Sequence, residues 1–279
     1  MAVFGIVKRM QIIILTVMIW VFSSLTVNSE ASAVNIIARP GVSPGAAQDI
    51  RQGVHLLEGY FLDLYGVRLQ RDVNIYLTAN EREYAKELQA QFALSPAEAK
   101  RRAQTTRGWT RDNLIISNIA ALPNASERMY HIAHEMTHQY QFDFAPNYTN
   151  QVQWLAEGWA DVIAAHVIAR SGQGSVENYN RKWLDVLRKA KRLPDLNQLQ
   201  TPSGWYQAIN VYGTEVTYRT AGIAASLLIQ RSGYGAMLEY YRLFNQSDNP
   251  EQSFRQAFGI SQAEFAQEVE RYMNKQRKQ

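Results

Sequence analysis

The sequence predicts an α+β fold, with a small N-terminal lobe of strands and helices (residues 34–143) followed by a mainly helical lobe (144–279). Three observations predict it. In Val73-Asn74-Ile75-Tyr76-Leu77-Thr78 alternate residues are apolar, as in a strand with one face on a core. Asp112 to Asn118 sets Leu114, Ile115 and Ile116 between polar ends and reads as a second strand. After Asn118 the pattern turns almost wholly helical.

The helices follow from spacing and caps. From Ser43 to Tyr65, Ile50, Val54, Leu57, Phe61 and Leu64 recur at three- and four-residue intervals. Glu81 to Phe92 is a second helical stretch. Ser95-Pro96-Ala97-Glu98 opens a third, with an N-cap, a proline at the first helical position and a reciprocal glutamate. Asn124 with Glu127 starts a helix that runs to about Gln141. Further helices are expected near 153–171, 176–190, 213–232, 234–245, 250–258 and 261–275. Asn249-Pro250 and the Ser261-x-x-Glu264 box open the last two. Gly172, Gly174, Pro194, Pro202 and Gly204 are placed in connections.

The 279 residues are 46% hydrophobic and 19% charged, which excludes a disordered, collagenous or many-span membrane chain. There is no cysteine, so disulfides, thiolate metal sites and a cysteine nucleophile are all excluded. Any metal must be held by His, Asp or Glu. Lys8 and Arg9 precede an apolar run from Met10 to Val27, and Ala31-Ser32-Ala33 has the small-x-small pattern of a signal-peptidase site. Residues 1–33 therefore read as a secretory signal, and 34–279 as one secreted or extracytoplasmic domain. The rival reading is an uncleaved anchor, because about 18 apolar residues can span a bilayer. Membrane contact is expected only in that case.

Net charge is +4. The basic residues are scattered, without the aromatic-interleaved stripe of a nucleic-acid binder, and no nucleic-acid partner is expected. Lys275, Arg277 and Lys278 close the last helix, where cations meet the macrodipole favourably, and read as a solvated tail. Weak attraction to an anionic cell surface is compatible with them but not demonstrated. Asn124, Asn147 and Asn245 head glycosylation triplets of low specificity.

The chemistry sits in His134-Glu135-Met136-Thr137-His138. Two imidazoles four residues apart lie one turn above the other on a helix and can grip one metal ion. On the helical wheel Met129, Ile132, Ala133, Met136 and Tyr140 form one apolar stripe, with His134, Glu135 and His138 opposite. Chance produces the motif on the order of once in a hundred chains of this length, so two surface histidines are a real alternative. Trp154-Leu155-Ala156-Glu157-Gly158-Trp159-Ala160-Asp161 weighs against that alternative. A catalytic zinc wants three protein ligands and an open position. Glu157, separated from His138 by eighteen residues, offers the third ligand from a second helix, in apolar company that makes an unpaired carboxylate costly. Asp161, one turn later, can orient a ligand histidine through its spare ring nitrogen, or else be a solvent-exposed acid.

At these residues the chain resembles the gluzincin metallopeptidases, whose pattern is H-E-x-x-H, eighteen residues, then E. Within that group it looks like the small exported peptidase-MA-like proteins, whose third ligand lies in a W-L-x-E-G-x-A context that Trp154 to Ala160 matches. Tyr218 to Gly233, and Phe254 to Gly259 with the helix after it, are similar to that family's closing segment, so the resemblance covers roughly Val73 to Met273. The large aminopeptidases with this spacing carry a G-x-M-x-N loop before the zinc helix, and this chain has none there.

The resemblance implies a zincin-like fold, bound zinc and a peptide or protein substrate. His134, His138 and Glu157 would hold the metal, Glu135 would be the general base, and Asp161 would support the metal site from behind. Tyr218, where the family places a tyrosine, is the expected oxyanion donor, with Tyr212 as the competitor. The strand Asn113 to Ile116 would bind extended substrate along an edge, unless it is an ordinary core strand. His131 falls on the cleft face, either lining the site or as a partly exposed bystander. His55 and His166 read as structural. Three functions fit these residues: a secreted zinc metallopeptidase, a catalytically inactive zincin-fold binding or scaffold protein, and a zinc hydrolase of a non-peptide amide. The intact Glu135 favours the first.

Overall fold

The sheet is built from four short strands, of which the sequence announces only two. The computed structural model describes residues 33–147 and 150–278. The expected signal segment and its Ala31-Ser32-Ala33 cut site fall almost wholly outside the described residues. The elements below belong to one unit, Ser32–Gln279.

β1 (Val34–Ala38), β2 (Val73–Thr78), β3 (Gly108–Arg111) and β4 (Leu114–Asn118) form one sheet in the order β1-β2-β4-β3. β1, β2 and β4 are parallel, with Ile36 opposite Ile75 and Ile75 opposite Ile115. β3 turns back antiparallel on β4 through a two-residue loop in which Asp112 takes the left-handed φ of 49° that such hairpins demand. α1 (Pro44–Tyr65), capped by Ser43, crosses from β1 to β2. α2 (Glu81–Phe92) and α3 (Pro96–Thr105) cross from β2 to the hairpin.

The pleat divides the core. Val73, Ile75, Leu77 and Ile115 face the main core with α1, whereas Ile116 joins Tyr84, Leu88, Ala99 and Ala103 in a smaller cluster under α2 and α3. The strand expected to offer an edge to substrate, Asn113 to Ile116, is the interior strand β4, paired on both sides. The sheet's edge on that side is β3.

The helical body follows as α4 (Ala125–Phe144), α5 (Gln153–Arg170), α6 (Val176–Lys189), α7 (Pro202–Tyr212), α8 (Thr214–Ser232), α9 (Tyr234–Ser247), α10 (Pro250–Phe258) and α11 (Gln262–Gln276). Pro202 and Gly204, expected in a connection, begin α7. Thr201 caps it by accepting from the Gly204 N–H at 3.1 Å, and proline is at home in a first turn. Among the described residues no helix is long and apolar enough to cross a membrane.

α5 is the axis of the body. Thirteen of its 18 residues are buried, round the whole circumference, as in a helix enclosed by others. α4 lies along one side and α8 along another. The α8 contact is so close that a Cβ on Gly158 would stand 2.2 Å from the Ala221 carbonyl oxygen. Gly158→Ala should therefore destabilise the protein by about 1–3 kcal/mol, the usual cost of overpacking, where an exposed helix position would gain about 1 kcal/mol. Denaturant unfolding with the mid-point compared to wild type checks this.

Candidate metal centre

α4 brings its histidines to the centre because its other side is anchored. Asn124 caps it by accepting from the Glu127 N–H, and Met129, Ile132, Ala133, Met136 and Tyr140 are all at most 1% exposed. The predicted apolar stripe is thus the buried one. His134 and His138 lie one turn apart with rings nearly perpendicular and centroids 4.9 Å apart. α5 supplies Glu157 opposite them. The two Nε2 atoms are 3.2 Å from each other, and Glu157 Oε2 is 3.3 Å from His134 Nε2 and 3.6 Å from His138 Nε2. Each of the three side chains is 12% exposed.

The hydrogen-bond network assigns the tautomers. His134 Nδ1 lies 3.0 Å from Asp161 Oδ1, a pure acceptor. His138 Nδ1 lies 2.8 Å from Gln141 Oε1, while the Gln141 amide nitrogen donates to the Ala156 carbonyl at 2.9 Å. That second bond fixes which end of the amide faces the histidine. Both rings therefore carry hydrogen on Nδ1 and turn a bare Nε2 towards the other and towards a carboxylate oxygen. Three lone pairs converge with no donor among them.

A cation resolves the conflict. Ligand atoms about 2.0–2.1 Å from a tetrahedral zinc stand about 3.3 Å apart, close to the three separations found. Among the described residues this is the His, Asp and Glu group whose ligand atoms gather in this way, all within 4.8 Å. Where no metal is bound, a proton must serve. Burial opposes charge on His134, but the hydrogen bonds and charges of Asp161 and Glu157 outweigh it and hold its pKa well above the imidazole range. His138 is raised as well, since the Glu157 charge overcomes burial. Burial pushes the Glu157 carboxyl up, yet the two histidines bring it far below the usual carboxylate range.

Asp161 is buried, not solvent-exposed, and its second oxygen accepts from Arg219 Nη1 at 2.8 Å. Arg219 and Gln141 are missing from the sequence reading. Arg219 lies 58 residues from its partner and Gln141 looks like any polar residue near a helix end, so neither carries a local signal.

Glu135 stands apart from the cluster. Its Oε2 accepts from Thr110 Oγ1 of β3 at 2.5 Å, and its Oε1 is 3.8 Å from His131 Nδ1. His131 is no exposed bystander: it is 9% exposed, with Nε2 2.9 Å from Ser117 Oγ. Burial pushes its pKa down to about 4, against the opposing pull of Glu135. Gly108 makes room for it, since a Cβ there would lie 2.4 Å from the imidazole Cε1.

The Tyr218 ring is 6.2 Å from the His134 ring and has Trp205 edge-on at 4.9 Å. Burial, then the charges of Glu157, Glu135 and Asp161, hold its phenol protonated far above the usual pKa. Tyr212 ends α7, where its ring faces the Arg192 guanidinium at 5.9 Å. His166 pairs with the Tyr234 hydroxyl, and His55 is exposed on α1.

A scan against protein-family models finds no match for this chain, and a search of curated proteins finds none either. Among solved structures the chain is similar to a crystal structure of a mutant M1 zinc metallopeptidase from Deinococcus radiodurans, at 14% identity and a TM-score of 0.47. The match covers 85% of this chain and 47% of that one, so the chain spans about half the length of the protein it resembles.

The purified chain should bind one zinc ion, and His138→Ala or Glu157→Ala should abolish stoichiometric binding. Asp161→Asn and Gln141→Leu should weaken it by about 10–100-fold, the usual effect of losing a group that orients a ligand histidine. Competition against a chromophoric chelator measures all four.

Proposed function

We propose that this chain is a zinc-dependent peptidase. The observation that carries the reading is the convergence of His134 Nε2, His138 Nε2 and Glu157 Oε2 at the separations of a tetrahedral site, with a second glutamate, Glu135, beside it and outside it. Two imidazoles and one carboxylate are a zinc donor set with a coordination position left for chemistry. The motif order H-E-x-x-H and the eighteen-residue interval to Glu157 support the same reading through the gluzincin resemblance.

Zinc held there supplies Lewis acidity, both towards the scissile carbonyl and towards the attacking water, whose pKa it brings near 7. Glu135, steadied by the Thr110 hydroxyl, takes the proton from that water and delivers it to the leaving amine nitrogen. Tyr218, kept protonated, donates its O–H to the developing oxyanion. Asp161 and Arg219 hold His134 in orientation, and Gln141 does so for His138.

A peptide is favoured as substrate by β3. It is the edge of the sheet, it is antiparallel to its one strand neighbour, and Thr110 on it touches Glu135. An extended chain added along that edge would pass the general base. The Met10 to Val27 run and Ala31-Ser32-Ala33 support action outside the cytoplasm.

A peptide-library digest by the purified chain tests the reading. Cleavage should vanish on stripping with 1,10-phenanthroline and return with zinc. Glu135→Gln should lower kcat on the order of 10²–10⁴-fold with zinc content unchanged. Tyr218→Phe should lower kcat on the order of 10²–10³-fold with little change in KM. Cleavage that survives metal removal would sink the proposal.

A further inference from the structure

A cluster of positive charge lies where two distant segments meet. Residues 188–196 and 270–278 hold eight of the 29 basic and two of the 25 acidic residues, which leaves 21 basic against 23 acidic everywhere else. These segments are about 80 residues apart in sequence, and the fold stitches them together. Arg188 donates from Nε to the Gln276 carbonyl at 3.1 Å and from Nη2 to Gln276 Oε1 at 2.9 Å. Arg277 Nη2 returns to the Ala190 and Lys191 carbonyls at 2.7 and 3.3 Å. α6 and α11 both end here, and their C-terminal carbonyls attract cations. That accounts for Arg188, Lys189 and Lys275 in the last turns and for Arg277 on the carbonyls at the end of α6, but not for Lys191, Arg192 and Lys278 beyond the helix ends.

The patch is also hollow. A concavity of about 380 Å³ opens in it, with Leu196, Val269 and Met273 on its floor, and Lys191, Arg192 and Arg277 beside the acids Asp195 and Glu270 in its lining. We infer that this face docks on a membrane surface bearing anionic phospholipid. Exposed cations that outnumber the two acids, around a hollow with a partly apolar floor, suit a phosphate-bearing head group with its glycerol beneath it. A polyanion would need only the cations. Clustered cations bind such surfaces through the surface potential, each adding to the affinity and all weakening with salt. This inference stands independently of the peptidase reading, because none of these residues contacts the metal centre.

The test is co-sedimentation of the full chain with vesicles of phosphatidylcholine, with and without 30% phosphatidylglycerol. Binding should require the anionic lipid and be lost in high salt. Replacing Lys189, Lys191, Lys275 and Lys278 with Gln should weaken it more than about a hundredfold, at about fivefold per cation. Replacing the same four with Arg should preserve it, which separates charge from folding. Three results would each overturn the inference: no binding to anionic vesicles at low salt while heparin is bound, equal binding to both vesicle types, or unchanged binding by the folded Gln variant.

Discussion

Two carboxylates on the most enclosed helix among the described residues constrain everything around them. Glu157 and Asp161 lie one turn apart on α5, whose circumference is otherwise walled by Trp154, Leu155, Trp159, Val162 and Ile163. Unpaired, either would cost several kcal/mol to bury. Each is therefore met by partners on neighbouring helices: Glu157 by the histidines of α4, and Asp161 by His134 from α4 and Arg219 from α8. Gly158, set between the two acids, lets α8 come close enough for that arrangement. The packing of three helices and the charge balance of the centre are one problem with one solution.

The sheet serves the same centre from the other side. α4 has three working faces: an apolar stripe towards α1 and the core, the histidine pair towards α5, and Glu135 with His131 towards the β3–β4 hairpin. On β3 the residues that point at α4 are Gly108 and Thr110, two apart as the pleat requires, and they meet His131 and Glu135, four apart as the helix requires. Trp109, between them, points the other way, into the contact with Phe92 and Arg102. Glu135 is thus steadied by the β3–β4 hairpin, whereas Glu157 and Asp161 are met by the histidines of α4 and by α8.

What could be read from the sequence was whatever announces itself locally. The caps at Ser95, Asn124 and Ser261 are found where their residue types place them, and the wheel of α4 sorts its buried stripe from its histidines correctly. The His134, His138 and Glu157 convergence was legible because spacing on a helix is geometry and because an acid among tryptophans demands a partner. β1 and β3 were not legible. One follows directly on the export-like segment, and the other has four residues held in place by its hairpin partner rather than by its own pattern. The edge position passed from Asn113–Ile116 to β3 for the same reason, since an unseen strand covers the expected edge. α7 was hidden by a proline and a glycine that read as a connection. Gln141, Arg219 and Thr110 depend on contacts across the fold, which no local pattern encodes.

The wiring of the two histidines is unequal, and the charge count suggests why. Glu157, Asp161 and Glu135 bring three negative charges to the centre and Arg219 brings one positive, leaving two negative charges to be cancelled when both imidazoles are neutral. A divalent ion cancels them; a single proton on His134 cancels only half. A carboxylate behind each histidine would have raised the deficit to three, beyond what a dication neutralises in a buried site. Gln141 supplies the orientation that Asp161 supplies on the other side, but without charge, and its amide is also satisfied by the Ala156 carbonyl. Removing Arg219 would have the same effect on the count as adding a carboxylate. The neutral amide and the half-buried guanidinium, the two parts of the centre with no local signature, are therefore the parts that hold its net charge at minus two.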